Sequence, residues 1–313
     1  MDREILDLAV IGAGPAGMTA ALYAARGRMR CAVFEKKVPG GQMALTEEIE
    51  NYPGISSISG PELAEKMRRQ AEEQGAYFIM AGVEGVVLPS SAGEPFLLRT
   101  GQGEWRAWTV VVASGSRPRP LGVPGEKELV GRGVSYCAAC DGPFFRGGRV
   151  VVVGGGDSAF QEGLFLTRMV EEVLVIHRRS TFRAQPVLVE RLQATGKASF
   201  LLEAVVEEIL GRDRVEGVRV RSLRDGQTKE IPCVAVFPYI GHIPETEFLP
   251  PQVRRDGEGR VRAREDTCTS VEGLFAAGDV RPKPLRQIVT AMADGATAAM
   301  AAEGYLSSRG RRS

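Results

Sequence analysis

The 313-residue chain is long enough to bury two cores, and 43% hydrophobic with 25% charged residues is an ordinary globular composition. Forty Lys and Arg against 39 Asp and Glu leave a net charge of +1, which gives no attraction to nucleic acid or another polyanion. Five cysteines in this length do not make a secreted disulfide framework.

The first element is apolar. Residues 8–25, "LAVIGAGPAGMTAALYAA", carry no charge and imitate a membrane span. Gly12, Gly14, Pro15 and Gly17 interrupt it, and Asp2, Glu4 and Asp7 spoil the basic start of a signal peptide. The better reading is strand, tight turn, helix, in a cytoplasmic protein with no membrane partner. Residues 110–120, "VVVASGSRPRP", then predict an apolar strand running into a Gly/Pro-rich link, and "YIGHIPE" (239–245) a second link. "GLFAAGDV" (273–280) reads as a strand with Asp279 at its tip, followed by a helix over about 285–306.

One segment recurs. "LAVIGAGPAGMTAALYAARGRMRCAVFEKK" (8–37) overlays "VVVVGGGDSAFQEGLFLTRMVEEVLVIHRR" (150–179) at a constant offset of 142 residues. Each copy has an apolar run, a glycine turn, a helical stretch and a second apolar run, the β-α-β plan of a dinucleotide site. Gly12 and Gly154 allow the tight turn. Gly14 and Gly156 admit a pyrophosphate at a helix N-terminus, and Gly17 and Ala159 let helix pack on strand. The copies differ at the end of the second run. Glu35 is placed to accept hydrogen bonds from a ribose diol, as in FAD. His177 stands at that register in the second copy, followed by Arg178 and Arg179, with Arg183 close behind. Guanidinium groups bind the 2′-phosphate of NADPH that a carboxylate would repel.

Between the copies lies "CAACDGP" (137–143). Zinc would need a second ligand pair, and the only histidines, His177 and His242, stand alone. A CxxC in a non-secreted α/β chain reads as redox-active. Cys31 and Cys233 lie in apolar runs and read as packing. Asp141 suits general acid–base work on thiols, or an N-cap or Asx turn before Gly142. Phe144 and Phe145 suit either a partner surface or the core.

With these motifs in place, the chain resembles the low-molecular-weight thioredoxin reductases. The residues that carry the resemblance are "GAGPAG" (12–17), "GGQMALTEEIENYPG" (40–54), "CAACDG" (137–142), "GGGDSA" (154–159), "HRRSTFRA" (177–184), "YIGHIPET" (239–246) and "GLFAAGDVRPKPLRQIVTAMADG" (273–295), in family order over essentially the whole chain.

The resemblance implies an α/β protein of two Rossmann-like, three-layer dinucleotide-binding domains. An NADPH domain (117–242) carrying the CxxC is inserted into an FAD domain split into 1–116 and 243–313. It implies FAD contacts from Gly12, Gly14, Pro15, Gly17, Glu35, Gln42, Asn51, Asp279, Arg286 and Gln287. NADPH falls to Gly154, Gly156, Asp157, Ser158, Ala159, His177, Arg178, Arg179 and Arg183. Electrons would pass from NADPH through FAD and the Cys137–Cys140 disulfide to thioredoxin or a thioredoxin-like protein. Cys140 would face the flavin and Cys137 attack the substrate, with Asp141 as acid–base. Because Cys140 lies only 14 residues before Gly154, disulfide and nicotinamide share a domain, and the family's domain rotation presents them in turn. A homodimer is implied by analogy alone.

Two positions depart from the family. Gln161 stands in the first place of a frequent glutamate pair, and Pro143 replaces a residue that is often aromatic or small. Larger glutathione-reductase-like enzymes place CxxxxC soon after the first fingerprint, and relatives that reduce ferredoxin or flavodoxin lack the CxxC. Alternatives are reduction of another thioredoxin- or glutaredoxin-like protein, or a non-catalytic flavin redox sensor.

Overall fold

The computed structural model describes residues 5–46, 48–91 and 93–311. The chain forms two compact units, Met1–Arg117 with Ile243–Ser313 (unit 1) and Pro118–His242 (unit 2).

Unit 1 begins as β1 (Leu6–Ile11), α1 (Pro15–Arg26), β2 (Cys31–Phe34), α2 (Gly60–Glu73) and β3 (Tyr77–Ile79). The uncharged stretch at 8–25 is thus split by its glycines into strand and helix, and no described helix is long and apolar enough to cross a membrane. Pro15 opens α1, where its missing N–H costs nothing. The Ser59 side chain accepts the Glu62 N–H at the start of α2. A meander of β4 (Val83–Val87), β5 (Phe96–Thr100) and β6 (Gly103–Val112) follows, then the short β7 (Ser116–Pro118). The sheet order is β3-β2-β1-β6-β5-β4. β1 runs parallel to β2 and β6, whereas β4, β5 and β6 pair antiparallel.

Unit 2 carries α3 (Ala138–Asp141), β8 (Arg149–Gly154), α4 (Asp157–Leu166), β9 (Glu172–His177), α5 (Pro186–Ala194) and β10 (Ala198–Leu202). It continues through β11 (Ala204–Leu210), β12 (Gly217–Ser222), β13 (Thr228–Pro232) and β14 (Ala235–Tyr239). The parallel sheet has the order β10-β9-β8-β14, and β11-β12-β13 form a separate antiparallel sheet. The chain then passes through β15 (His242–Pro244), which pairs with β7, to β16 (Leu274–Ala276) and α6 (Ile288–Ser308). β16 adds to β6 in parallel.

The inner parallel strands β1, β2, β8 and β9 are buried on both faces, which is why they read as apolar runs. In unit 1, Leu8 and Val10 face the core shared with α1, α2 and α6, while Ala9 and Ile11 face the meander. In unit 2, Val150 and Val152 pack toward α4 and α5, and Val151 and Val153 toward β11 and β12. Alternation within a continuous run therefore gives two cores per unit. Small residues bring α6 onto α1: a Cβ on Gly295 would lie 2.1 Å from the Ala16 carbonyl oxygen. The helix predicted to begin near residue 285 begins at Ile288. Pro282 and Pro284 keep the preceding turn open, and Gln287 and Thr290 close a capping box.

Candidate active site

The two glycine turns share one plan. Gly12 has φ +104°, and a Cβ there would sit 2.5 Å from the Ala113 carbonyl oxygen. A Cβ on Gly17 would lie 1.9 Å from the Gly12 carbonyl oxygen, so α1 packs directly on its own turn. In unit 2, a Cβ on Gly154 would lie 2.4 Å from the Tyr239 carbonyl oxygen, and Ala159 is fully buried. Gly14 and Gly156 differ from these: a Cβ on either would meet nothing within 4 Å. Each turn is thus tight below and open above, beside the free N–H groups of a helix start, which is what a pyrophosphate requires.

Around the first turn, the Glu35 carboxylate accepts the Ala13 N–H at 2.8 Å and the Lys37 N–H at 2.9 Å. Asn51 donates to the Gln287 side-chain oxygen at 3.0 Å, and Gln42 to the Ser116 carbonyl at 3.2 Å. Arg286 is exposed. Asp279 Oδ1 is buried without a hydrogen-bond partner among the described residues, and burial raises the Asp279 pKa, with Lys283 and Arg286 acting against it and Asp294 with it. A carboxylate in that state accepts a bond from an alcohol hydroxyl, and the flavin ribityl chain supplies one. These residues fit FAD. The loop that carries Asp279 is tied down by Asp294, which accepts the Gly278 N–H at 2.9 Å and the Lys283 ammonium at 2.8 Å, with Arg281 at 3.5 Å.

At the second turn the expected residues divide. Arg178, Arg179 and Arg183 are exposed, and none has an ion-pair partner among the described residues. His177 is only 6% exposed and lies under the turn, its ring against Gly155. Burial lowers its pKa first, with the arginines adding to that and a hydrogen bond with the Thr181 backbone opposing it. The imidazole is therefore neutral at pH 7, and the positive charge here belongs to the arginines alone. The Gly155 carbonyl accepts the Arg183 and Ala184 N–H groups at 2.7 and 3.1 Å, which folds the arginine loop back onto the turn. Asp157 accepts the Gln185 N–H at 2.8 Å and its side-chain amide at 3.0 Å, and Ser158 is exposed on the first turn of α4. A guanidinium cluster beside an open glycine turn fits a phosphorylated dinucleotide.

Cys137 and Cys140 form a disulfide, with Cα atoms 5.3 Å apart, at the start of α3. Cys137 is the N-cap: its Sγ accepts the Cys140 N–H at 3.2 Å, a bond that would strengthen on a thiolate. Asp141 makes no side-chain capping bond, which removes that alternative for it. Phe145 packs edge-on against Phe237, whereas Phe144 is 81% exposed. Phe145 is thus partly buried against the core while Phe144 stands at the surface. Phe144, Asp141, Ser135 and Gly133 line part of a cavity of about 160 Å³. Burial pushes the thiols of Cys31 and Cys233 up to about 12, so both are inert packing residues.

A fold of two glycine-turn units with a disulfide in the second defines a class, and the chain belongs to the pyridine nucleotide-disulphide oxidoreductase family, whose model matches residues 6–295. Within that class it falls among the low-molecular-weight thioredoxin reductases. It is 44% identical to the thioredoxin reductase of Treponema pallidum over 301 residues, 96% of this chain and 97% of that one. Against the thioredoxin reductase of Bacillus subtilis it is 44% identical over 306 residues, 97% of this chain and 96% of that one. The crystal structure of Lactococcus lactis thioredoxin reductase in its FR conformation matches with a TM-score of 0.94 at 40% identity, covering 97% of this chain and 99% of that one.

Several side chains that hold the site were not singled out by the sequence. Lys283 and Asp294 lie inside "GLFAAGDVRPKPLRQIVTAMADG", and a cation and an anion flanking a helix start were the available signal. Glu126 is 2% exposed and accepts the Leu121 and Gly122 N–H groups and the Tyr136 hydroxyl, at 2.8, 2.7 and 2.7 Å. It anchors the chain entering Cys137, and nothing in its local pattern marks it.

Proposed function

We propose that this chain is an NADPH-dependent thioredoxin-disulfide reductase, acting in the cytoplasm as a homodimer. The observation that carries the reading is the Cys137–Cys140 disulfide in the same unit as an arginine-flanked glycine turn. Gly12, Gly14, Pro15, Gly17, Glu35, Gln42, Asn51, Asp279, Arg286 and Gln287 hold FAD. Gly154, Gly156, Asp157, Ser158, Ala159, Arg178, Arg179 and Arg183 hold NADPH, and His177 supports the arginine loop from below. FAD, when bound, supplies a two-electron relay between NADPH and the disulfide. Unit 2 contributes both the nucleotide and the disulfide, so the two are presented to the flavin in alternation, as the family's domain rotation provides.

The dithiol then reduces the partner. Cys137 thiolate attacks the partner disulfide and forms a mixed disulfide, releasing one partner thiolate. Cys140 thiolate attacks Cys137 Sγ, reforms the internal disulfide and releases the second. Asp141 carries protons between the cysteine thiols and the leaving thiolates. Overall, NADPH, a proton and a protein disulfide give NADP⁺ and a protein dithiol. The exposed Phe144 ring offers an apolar anchor beside the disulfide for the partner's surface.

The test is steady-state turnover of NADPH with thioredoxins from the source organism, alongside flavin quantification and light scattering. One FAD per chain, a dimer mass and thioredoxin-dependent NADPH oxidation support the reading. Flavin reduction by NADPH without turnover on any thioredoxin would favour a sensor instead.

A further inference from the structure

Tyr239 touches both turns of unit 2. It ends β14 in register with Gly154, and its carbonyl occupies the space a Cβ on Gly154 would need. Its hydroxyl accepts the Ala138 N–H at 3.2 Å. Ala138 is fully buried and is the first residue of α3, so its N–H has no partner inside the helix. α3 is a single turn of four residues, too short to be stable by its own hydrogen bonds. Its orientation must come from outside contacts. Two further donors of that turn return to Cys137, the Cys140 N–H to its Sγ and the Asp141 N–H to its carbonyl, each at 3.2 Å.

The hydroxyl keeps its hydrogen. Burial holds the Tyr239 pKa well above its ordinary value, and the Glu162 carboxylate on α4 and the Asp141 carboxylate on α3 push the same way. The bond with the Ala138 N–H opposes them and is outweighed. Tyr239 is therefore a neutral acceptor throughout the working pH range.

We propose that Tyr239 is a positioning residue of the dithiol centre: by accepting the first N–H of α3 it holds that turn so that the Cys140 N–H stays on Cys137 Sγ and keeps the Cys137 thiol acidic. The inference rests on Cys137 and Cys140 being the working redox pair. It concerns a side chain to which the family resemblance assigns no role.

The experiment measures alkylation of Cys137 by iodoacetamide against pH, in the full chain with FAD bound, reduced, and carrying Cys140→Ala so that only one thiol of the pair reacts. That substitution removes a side chain but leaves the Cys140 backbone N–H in place. Tyr239→Phe keeps the ring and deletes the acceptor, and a thermal melt verifies that it folds. The Cys137 midpoint should rise, so that alkylation below both midpoints slows about threefold or more, as thiolate fraction falls. A second variant isolates the bond. Ala138→Pro removes the donor at the first helical position, where proline is tolerated, and Cys137 already has the extended backbone (φ −136°, ψ 100°) that a residue before proline prefers. In the Ala138→Pro background, Tyr239→Phe should have little further effect. No shift from Tyr239→Phe, or the same shift in both backgrounds, overturns the proposal. A reduced parent protein whose Cys140 and Cys137 never re-form a disulfide would instead refute the redox reading, which is a separate outcome.

Discussion

The His177 ring fills the space that a Cβ on Gly155 would occupy: that Cβ would lie 2.4 Å from Cε1, 2.5 Å from Nδ1 and 2.7 Å from Nε2. Glycine at 155 and a flat ring at 177 are therefore one packing solution. Because the Gly155 carbonyl also holds the Arg183 and Ala184 N–H groups, that packing sets where the arginine loop lies.

Gly155→Ala should destabilise the protein by about 1–3 kcal/mol, the usual cost of overpacking a tight site. It should also weaken NADPH binding more than FAD binding, since only the second turn is disturbed. His177→Ala in the same chain makes room for the added methyl and should restore part of the stability. Thermal melts of the two single variants and the double decide it: simple additivity would mean that the two residues do not compete for space.

Cys137→Ser and Cys140→Ser should each abolish thioredoxin reduction while leaving flavin reduction by NADPH intact. The disulfide is the exit for electrons and not their entry. Stopped-flow bleaching of the flavin, read beside thioredoxin turnover, separates the two half-reactions. Substantial thioredoxin turnover in either variant would remove the pair from the path.

Asp141 makes no side-chain capping bond at the turn it begins, so its carboxylate is not needed to end α3. Asp141→Asn should leave the melting temperature within a few degrees and slow thioredoxin turnover by about 10²-fold, the scale of a positioned acid–base group. A large loss of stability with an unchanged rate would make the residue structural.

The strands and helices around both turns were legible because their signals are local. A glycine turn between two apolar runs fixes strand, turn and helix without distant help, and the recurrence at 142 residues doubled that signal. The division of labour at the second turn was not legible. By register His177 stands in the place of a ligand, yet the ring turns inward because Gly155 leaves a slot for it. Phe144 and Phe145 are adjacent and alike in sequence, and it is packing on the distant Phe237 that draws Phe145 partly inward. Glu126, Lys283, Asp294 and the Tyr239 hydroxyl escape for the same reason. Their partners are 4–101 residues away in sequence, and no periodicity encodes a side-chain pairing across such distances.

Asp279→Asn should stabilise the apoprotein and weaken FAD binding together. Burial raises the Asp279 pKa, so the folded apoprotein binds that proton more tightly than the unfolded chain. Its stabilising contribution is complete below the unfolded carboxylate value of about 3.9 and is lost as pH rises through the raised folded value. Asparagine removes that loss, so apoprotein melting at neutral pH should rise and its pH dependence flatten. A charge-assisted bond to a flavin hydroxyl contributes about 1.5–3 kcal/mol, so FAD affinity should fall about 10- to 100-fold. Melting curves of apoprotein from pH 4.5 to 8, with flavin titrations, test both halves. An apoprotein that is destabilised by the change would contradict the first.

Arg178, Arg179 and Arg183 should carry a preference for NADPH over NADH. They are exposed, they lack ion-pair partners among the described residues, and the loop they occupy is bonded to the Gly155 carbonyl beside the open face of Gly156. His177 adds no positive charge to theirs, because burial lowers the pKa of its ring. A 2′-phosphate is the one group that separates the two nucleotides, and guanidinium is its natural partner. Each charge-assisted bond contributes about 1.5–3 kcal/mol, so Arg178→Ala with Arg179→Ala should lower NADPH efficiency by about 10²-fold or more. The loss should appear mainly in the NADPH Michaelis constant, and the constants for NADH should barely move, since pyrophosphate and nicotinamide contacts are common to both. Raising ionic strength should weaken NADPH binding in the parent protein and much less in the double variant, because exposed charges are screened. Steady-state kinetics with both nucleotides, at two salt concentrations, reads all of this. Equal losses for NADH and NADPH would show that the arginines only support the fold, and a parent protein that favours NADH would overturn the assignment of the site.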